Sequence, residues 1–157
     1  MSKATRATTM LAKAGIAFTI HEYDYDPDAD SIGLQAAAAL GEDPARVLKT
    51  LMALVDGKPA CVILPSDHEV SMKRLAAAFG GKAAQMMKPA EAERVTGYKV
   101  GGISPFGQMR AVRTAVEEQA LAHPLVYMNG GQRGLQVRLD PRDAVAVLKA
   151  VVAPVIA

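Results

Sequence analysis

Apolar residues open the chain at helical spacing, with Ala4, Ala7, Met10, Leu11 and Ala14 on one stripe and Gly15 as the stop. The period then shortens. Ala17 to Tyr23 alternates as a strand does, Phe18 and Ile20 on one face and His21 and Tyr23 on the other. The acidic stretch from Asp24 to Asp30 reads as a loop, after which Asp30 or Ser31 caps a short alanine-rich helix ending at Gly41. Asp43-Pro44 has the cap-then-proline start of a helix, but strand formers follow from Val47 onward. A single turn and then a strand over Leu48 to Val55 are expected. Asp56-Gly57 signals a tight hairpin, with Ala60 to Leu64 as the return strand.

Ser71 can cap a helix carrying Leu75, Ala78 and Phe79, stopped by Gly80-Gly81. Ala83 to Met87 is a short strand, and Pro89 to Val95 a helix bounded by proline before and Gly97 after. Beyond a glycine-rich segment from Gly101 to Gly107, Met109 to Val116 is expected as a strand. Leu125 to Met128 and Leu135 to Leu139 flank a glycine-rich hairpin connection, and Asp140-Pro141 opens the last helix, with Asp143 placed as in a capping box. Internal repeats, low-complexity segments and linkers are absent, so residues 1–157 read as one domain. Its class is mixed α/β (α+β), a curved, barrel-like sheet with helices packed around it.

Composition supports that picture. Half of the 157 residues are apolar, enough for one core that buries roughly two-thirds of the unfolded surface. No apolar run approaches the ~18 residues of a membrane span, and the residues from Met1 to Arg6 lack a signal-peptide core. Cys61 stands alone, so no intrachain disulfide forms, and a reducing cytoplasm is the expected compartment. Net charge is only +2 but unevenly spread. Seven acids and no Lys or Arg lie between Ala17 and Asp43, whereas eight basic residues face two acids between Ser71 and Thr114. A basic surface attracts polyanions such as RNA, with Lys73, Arg74 and Arg110 as candidate contacts. An ordinary solvated face would read the same way.

Candidate chemistry is sparse. His21, His68 and His123 are scattered, and Asp67-His68-Glu69 cannot close on one ion by itself, so no metal site is expected. Ser104 lacks the second glycine of a nucleophile elbow, Cys61 lies in an apolar run, and phosphate loops of the Walker or dinucleotide type are missing. No cofactor is implied. Two features remain. Lys49 is a cation at the start of an apolar strand, either snorkelling from an edge or holding a phosphate or developing oxyanion. Val100 to Gly107 is glycine-rich, either a tight structural turn or a loop whose N–H groups approach an anion closely.

Four spaced segments together resemble the YbaK/EbsC branch of the prolyl-tRNA editing family. They are His21-Glu22-Tyr23-Asp24, Arg46-Val47-Leu48-Lys49-Thr50-Leu51, Thr96 through Gly107, and Tyr127 through Leu135. The resemblance runs in one order from the first helix to the last, in the free-standing form of the domain. It implies a cytoplasmic deacylase of mischarged Cys-tRNA(Pro), and of Cys-tRNA(Cys), with prolyl-tRNA synthetase as a further partner. Prolyl-tRNA synthetase accepts cysteine because steric sieving rejects an isostere weakly. By this resemblance Lys49 is the essential lysine and Gly101 its catalytic companion. Gly102, Ile103, Ser104 and Pro105 continue the substrate-positioning loop, Tyr23 and Thr50 are pocket residues, and Asn129 takes a pocket-side position. The substrate's own thiol would attack its ester, which suits a chain without an evident nucleophile. A water-using deacylase of alanine, or a silent module that binds tRNA or a synthetase, are the alternatives.

Overall fold

The computed structural model describes residues 4–29 and 31–157; the proposed cap at Asp30 and the start of the chain up to Lys3 lie outside them. Helix α1, Arg6–Lys13, is closed by a reciprocal box in which Thr5 and Thr8 each accept the other's backbone N–H. Strand β1, Phe18–Glu22, leads through the acidic loop to α2, Ile32–Leu40, which Ser31 caps and Gly41 ends in the left-handed region. A 3-10 turn, Pro44–Arg46, follows the Asp43 cap. The hairpin of β2, Leu48–Val55, and β3, Lys58–Pro65, turns on Asp56 and Gly57, both at positive φ.

Helix α3, Met72–Ala78, β4, Ala84–Met86, and α4, Pro89–Thr96, come next. Then follow β5, Arg113–Glu117, a 3-10 turn over Glu118–Ala122, β6, Val126–Asn129, β7, Leu135–Leu139, α5, Pro141–Leu148, and β8, Val151–Ala153. The mixed α/β class holds. Strands fall into two sheets rather than a closed barrel, β1-β7-β6 and β4-β2-β3-β5-β8, joined where Val47 bridges to Tyr127. The second sheet is mixed, with β3, β5 and β8 parallel.

Strand β3 explains how the layers stack. Ala60, Val62 and Leu64 point to a cluster roofed by Leu75 and Ala76 of α3, while Cys61 and Ile63 point to the larger core. That larger core holds Leu11 of α1, Val95 of α4, Ala144 of α5, and Met128 and Val137 of the other sheet. With both faces covered, β3 is apolar throughout its buried part rather than alternating.

One expectation needs correction. β5 begins at Arg113, not Met109. The Met109 and Arg110 amides instead bond to Thr96 and Val95 carbonyls, tying the segment to the end of α4, and Met109 is 66% exposed. Phe18 and Ile20 share one face of β1, as alternation requires, but only Phe18 packs against the core, and Ile20 is 41% exposed. A short strand follows the last helix. Lys149 takes φ +52°, closes α5, and lets β8 add to β5.

Candidate active site

One edge of β2 is partly uncovered. The strand pairs with β3 along its whole length, but β4 reaches it only from Ala53 to Val55. The bond from Ser66 N–H to Val47 O sets the parity of the ladder, so odd-numbered residues bond to β3. The backbone N–H and C=O of Thr50 therefore face the uncovered edge. There Val47 to Met52, a run without a gap, lines a cavity of about 400 Å³. Alternating side chains cannot do that from one face, so the strand's edge must look into the cavity. The volume falls within the ~300–1,000 Å³ of small-molecule sites.

Other walls come from distant segments. Met86, Met87, Pro89 and Ala92 arrive from the β4–α4 corner, Val100, Gly101 and Ile103 from the loop after α4, and Asn129 and Gln136 from the β6–β7 hairpin. Asn129 and Gln136 are direct cross-strand partners. Ser31, Gly33 and the exposed Glu69 complete the lining. A Cβ on Gly33 would lie 2.6 Å from Ser66 Cβ and 3.6 Å from Lys49 Cβ, so the start of α2 is seated directly on β2 beside the lysine. Among the described residues no carboxylate pairs with the Lys49 ammonium, which is left as a half-buried cation on a largely apolar lining.

Buried polar atoms without partners gather here. They are Thr50 Oγ1, Gln136 Oε1 and the Tyr23 hydroxyl. Gln136 is only 4% exposed, and a buried polar group left unpaired costs about 1–3 kcal/mol. Tyr23 does not line the cavity, but its hydroxyl lies beside the Gln136 side chain, short of hydrogen-bond geometry. Burial raises the Tyr23 pKa above the ordinary phenol value, so the hydroxyl remains a donor.

The glycine loop divides in two. Gly102 N–H donates to Lys99 O at 2.8 Å, and Gly101 sits at φ +93°, the third position of a type II turn that calls for glycine. A side chain at Gly101 would press on the Tyr25 hydroxyl and ring rather than reach into open space. Gly102, Ser104 and Pro105 do not line the cavity. A Cβ on Gly102 would come within 2.7 Å of Arg133 N, Ser104 Oγ accepts from Phe106 N–H, and Pro105 is buried. Of the expected residues, Lys49, Thr50, Gly101, Ile103 and Asn129 converge. Asn129 braces the loop as well, donating to Gly101 O at 3.3 Å and accepting from Gly131 N–H at 2.7 Å.

Gln136 escaped sequence reading. On the strand Leu135–Leu139 its alternation with buried Leu135 and Val137 looks like an ordinary solvent-facing position. The one signal was its register directly opposite Asn129 across the hairpin. Cys61 is not on the lining; burial pushes its thiol up to about 12. Among the described residues no three His, Cys, Asp or Glu side chains gather as a metal site, and no helix is long and apolar enough to cross a membrane.

A small apolar cavity with one cation, backbone donors and orphaned polar atoms defines a binding site for a compact polar group, carried by a mixed α/β scaffold. The profile of the aminoacyl-tRNA editing domain matches residues 26–147, and the chain belongs to that family, a class of aminoacyl-tRNA deacylases. The "Putative Cys-tRNA(Pro)/Cys-tRNA(Cys) deacylase EbsC" of Enterococcus faecalis is 31% identical over 122 residues, covering 76% of this chain and 74% of that protein. A "Proline--tRNA ligase" of Acidithiobacillus ferrooxidans is 29% identical over 87 residues, 55% of this chain but 15% of the ligase. The solved structure described as "a putative trans-editing enzyme for prolyl tRNA synthetase" superposes with a TM-score of 0.84 at 21% identity, covering 99% of each chain, a likeness of fold.

Proposed function

We propose that the protein removes cysteine from Cys-tRNA(Pro), acting in trans to prolyl-tRNA synthetase. The observation that carries this reading is the composition of the cavity. It holds a lone lysine and orphaned polar atoms, while its one carboxylate among the described residues, Glu69, stands exposed. Such a lining can bind and polarise an ester but offers no buried base for water. The names of the editing relatives agree with the substrate class.

In this reading Lys49 faces the ester and offsets charge developing on its carbonyl oxygen. Thr50 Oγ1 and Gln136 Oε1 accept hydrogen bonds from the α-ammonium, and the apolar wall excludes water. The substrate thiolate attacks its own carbonyl carbon. The new C–S bond closes a thiolactone, the ester C–O bond breaks, and the freed ribose oxygen takes up a proton. Held in this geometry, the reaction needs no side-chain nucleophile.

The test compares purified Cys-, Ser- and Ala-tRNA(Pro). Serine fits wherever cysteine fits, but its hydroxyl is essentially un-ionised at neutral pH, whereas a thiol near pKa 8.5 is a few per cent thiolate. Cys-tRNA turnover at least a hundredfold faster than Ser-tRNA is expected. Comparable rates for cysteine and serine would make water the nucleophile, and preferential turnover of alanine would move the protein to the hydrolytic branch. No turnover of any of them would leave a binding module.

A further inference from the structure

Four backbone groups flank Gly101, and three of them are occupied. Val100 O accepts from Arg133 Nε at 2.9 Å, Gly101 O accepts from Asn129 Nδ2 at 3.3 Å, and Gly102 N–H donates to Lys99 O at 2.8 Å. Gly101 N–H alone has no partner among the described residues. The adjoining Val100 N–H is also spent, on Glu93 Oε2 at 2.9 Å. The loop is therefore not a nest of several free donors. It offers a single one, on a residue that lines the cavity.

A trans peptide is planar, with its N–H and C=O pointing opposite ways. Whatever holds Val100 O thus fixes the direction of Gly101 N–H. Arg133 is that holder, and it is itself held: its guanidinium lies 5.3 Å from the centroid of the Tyr25 ring. Tyr25 also stands against Gly101 on the side where a Cβ would be, so ring, guanidinium and peptide form one stack around the turn. In type I and type II turns the central peptide differs by a flip of about 180°. Glycine tolerates both, so Gly101 by itself does not hold the type II form.

We propose that Arg133, seated on Tyr25, is a positioning residue that locks the Val100–Gly101 peptide and so presents the Gly101 N–H to the substrate ester. This rests on the ester-cleaving reading above. An exposed arginine beside an RNA site would ordinarily be read as a phosphate contact, but here its Nε and the planar face of its guanidinium are already engaged within the chain. The oxyanion that forms when the ester is attacked is then met by one backbone donor and by Lys49.

Three variants of the full chain test it: Arg133→Gln, Arg133→Lys and Tyr25→Leu. With an unchanged unfolding transition, Arg133→Gln should lower kcat on Cys-tRNA at least tenfold while KM stays within about twofold. Arg133→Lys, which keeps the charge but loses the planar Nε donor, should be equally impaired. Tyr25→Leu should lose kcat to a smaller extent. A high-resolution crystal structure of Arg133→Gln should show the Val100–Gly101 peptide flipped or in two orientations. Rescue by lysine, or a rise in KM alone, would make Arg133 a phosphate contact and overturn the proposal. So would normal kcat in folded Arg133→Gln, or an unaltered peptide in its crystals. Should the parent protein turn over no Cys-tRNA, the proposed function fails, while the crystallographic comparison still decides on the lock.

Discussion

Lys49 is the clearest case of a residue whose role depends on what surrounds it. In an apolar strand it could simply lead its ammonium to water, but the start of α2 crosses beside it and a cavity opens along its strand edge. Lys49→Ala should retain the fold and lose about a hundred- to thousandfold in kcat, the ~2.7–4 kcal/mol typical of a missing oxyanion partner. Single-turnover deacylation with circular dichroism as the fold control checks this. Cys61 makes the opposite point, a reactive residue type silenced by burial. Its folded pKa of about 12 lies above the ordinary thiol value. Between about pH 8.5 and 12 the unfolded thiol ionises while the folded one does not, so the unfolded state binds fewer protons and stability falls as pH rises. Urea midpoints from pH 8 to 9.5 should decline in the parent protein and flatten in Cys61→Ala. The thiol dependence of turnover over that range then belongs to the substrate.

At the scale of elements, Glu117 links three of them. It is buried to 1% exposure at the end of β5, its Oε1 accepting from Val155 N–H beyond β8 and its Oε2 from Gln119 N–H in the following 3-10 turn. Glu117→Ala leaves two amides without partners. Of the two, the Val155 N–H is buried, and at about 1–3 kcal/mol for a buried group left unpaired, the urea midpoint should drop without change in the slope of the transition. The same element accounts for a misjudged boundary. Nothing in Met109 to Val112 opposes extended structure, but the sheet begins at Arg113 because the earlier amides are taken by the end of α4. Local pattern specifies which residues can extend; competition for hydrogen bonds specifies which do.

Across the whole molecule, the basic segment from Ser71 to Thr114 is less uniform than its sequence suggests. Arg74 donates to Ile156 O, and Arg113 donates to Val55 O while stacking on Phe79, so both brace the fold. Lys88 and Lys99 are exposed and immediately precede the cavity-lining Pro89 and Val100. If the acceptor end enters there, affinity for tRNA falls with rising salt. Charge reversal at Lys88 or Lys99 should weaken binding and flatten the salt slope by about 0.7–0.9 for each phosphate no longer neutralised. Filter binding across a salt series measures it. Arg74→Glu should instead lower stability.

The sequence alone determined most elements, because caps, glycine stops and the Asp56-Gly57 turn act within a few residues of themselves. It also carried the family, through four short segments whose order survives without knowledge of their contacts. It placed Lys49, Thr50, Gly101, Ile103 and Asn129 in those segments, and the fold gathers them on one cavity. What only the tertiary structure decided is which neighbours are spent on the fold itself. Ser104 braces a turn, Gly102 packs on the next hairpin, and the Gly101 carbonyl is claimed by Asn129. Gln136 moves the other way, from an apparent surface position to a buried acceptor without a partner. Local conformation follows from sterics and hydrogen bonds between near neighbours. Whether a polar group stays free for a ligand depends on partners that folding brings from far along the chain.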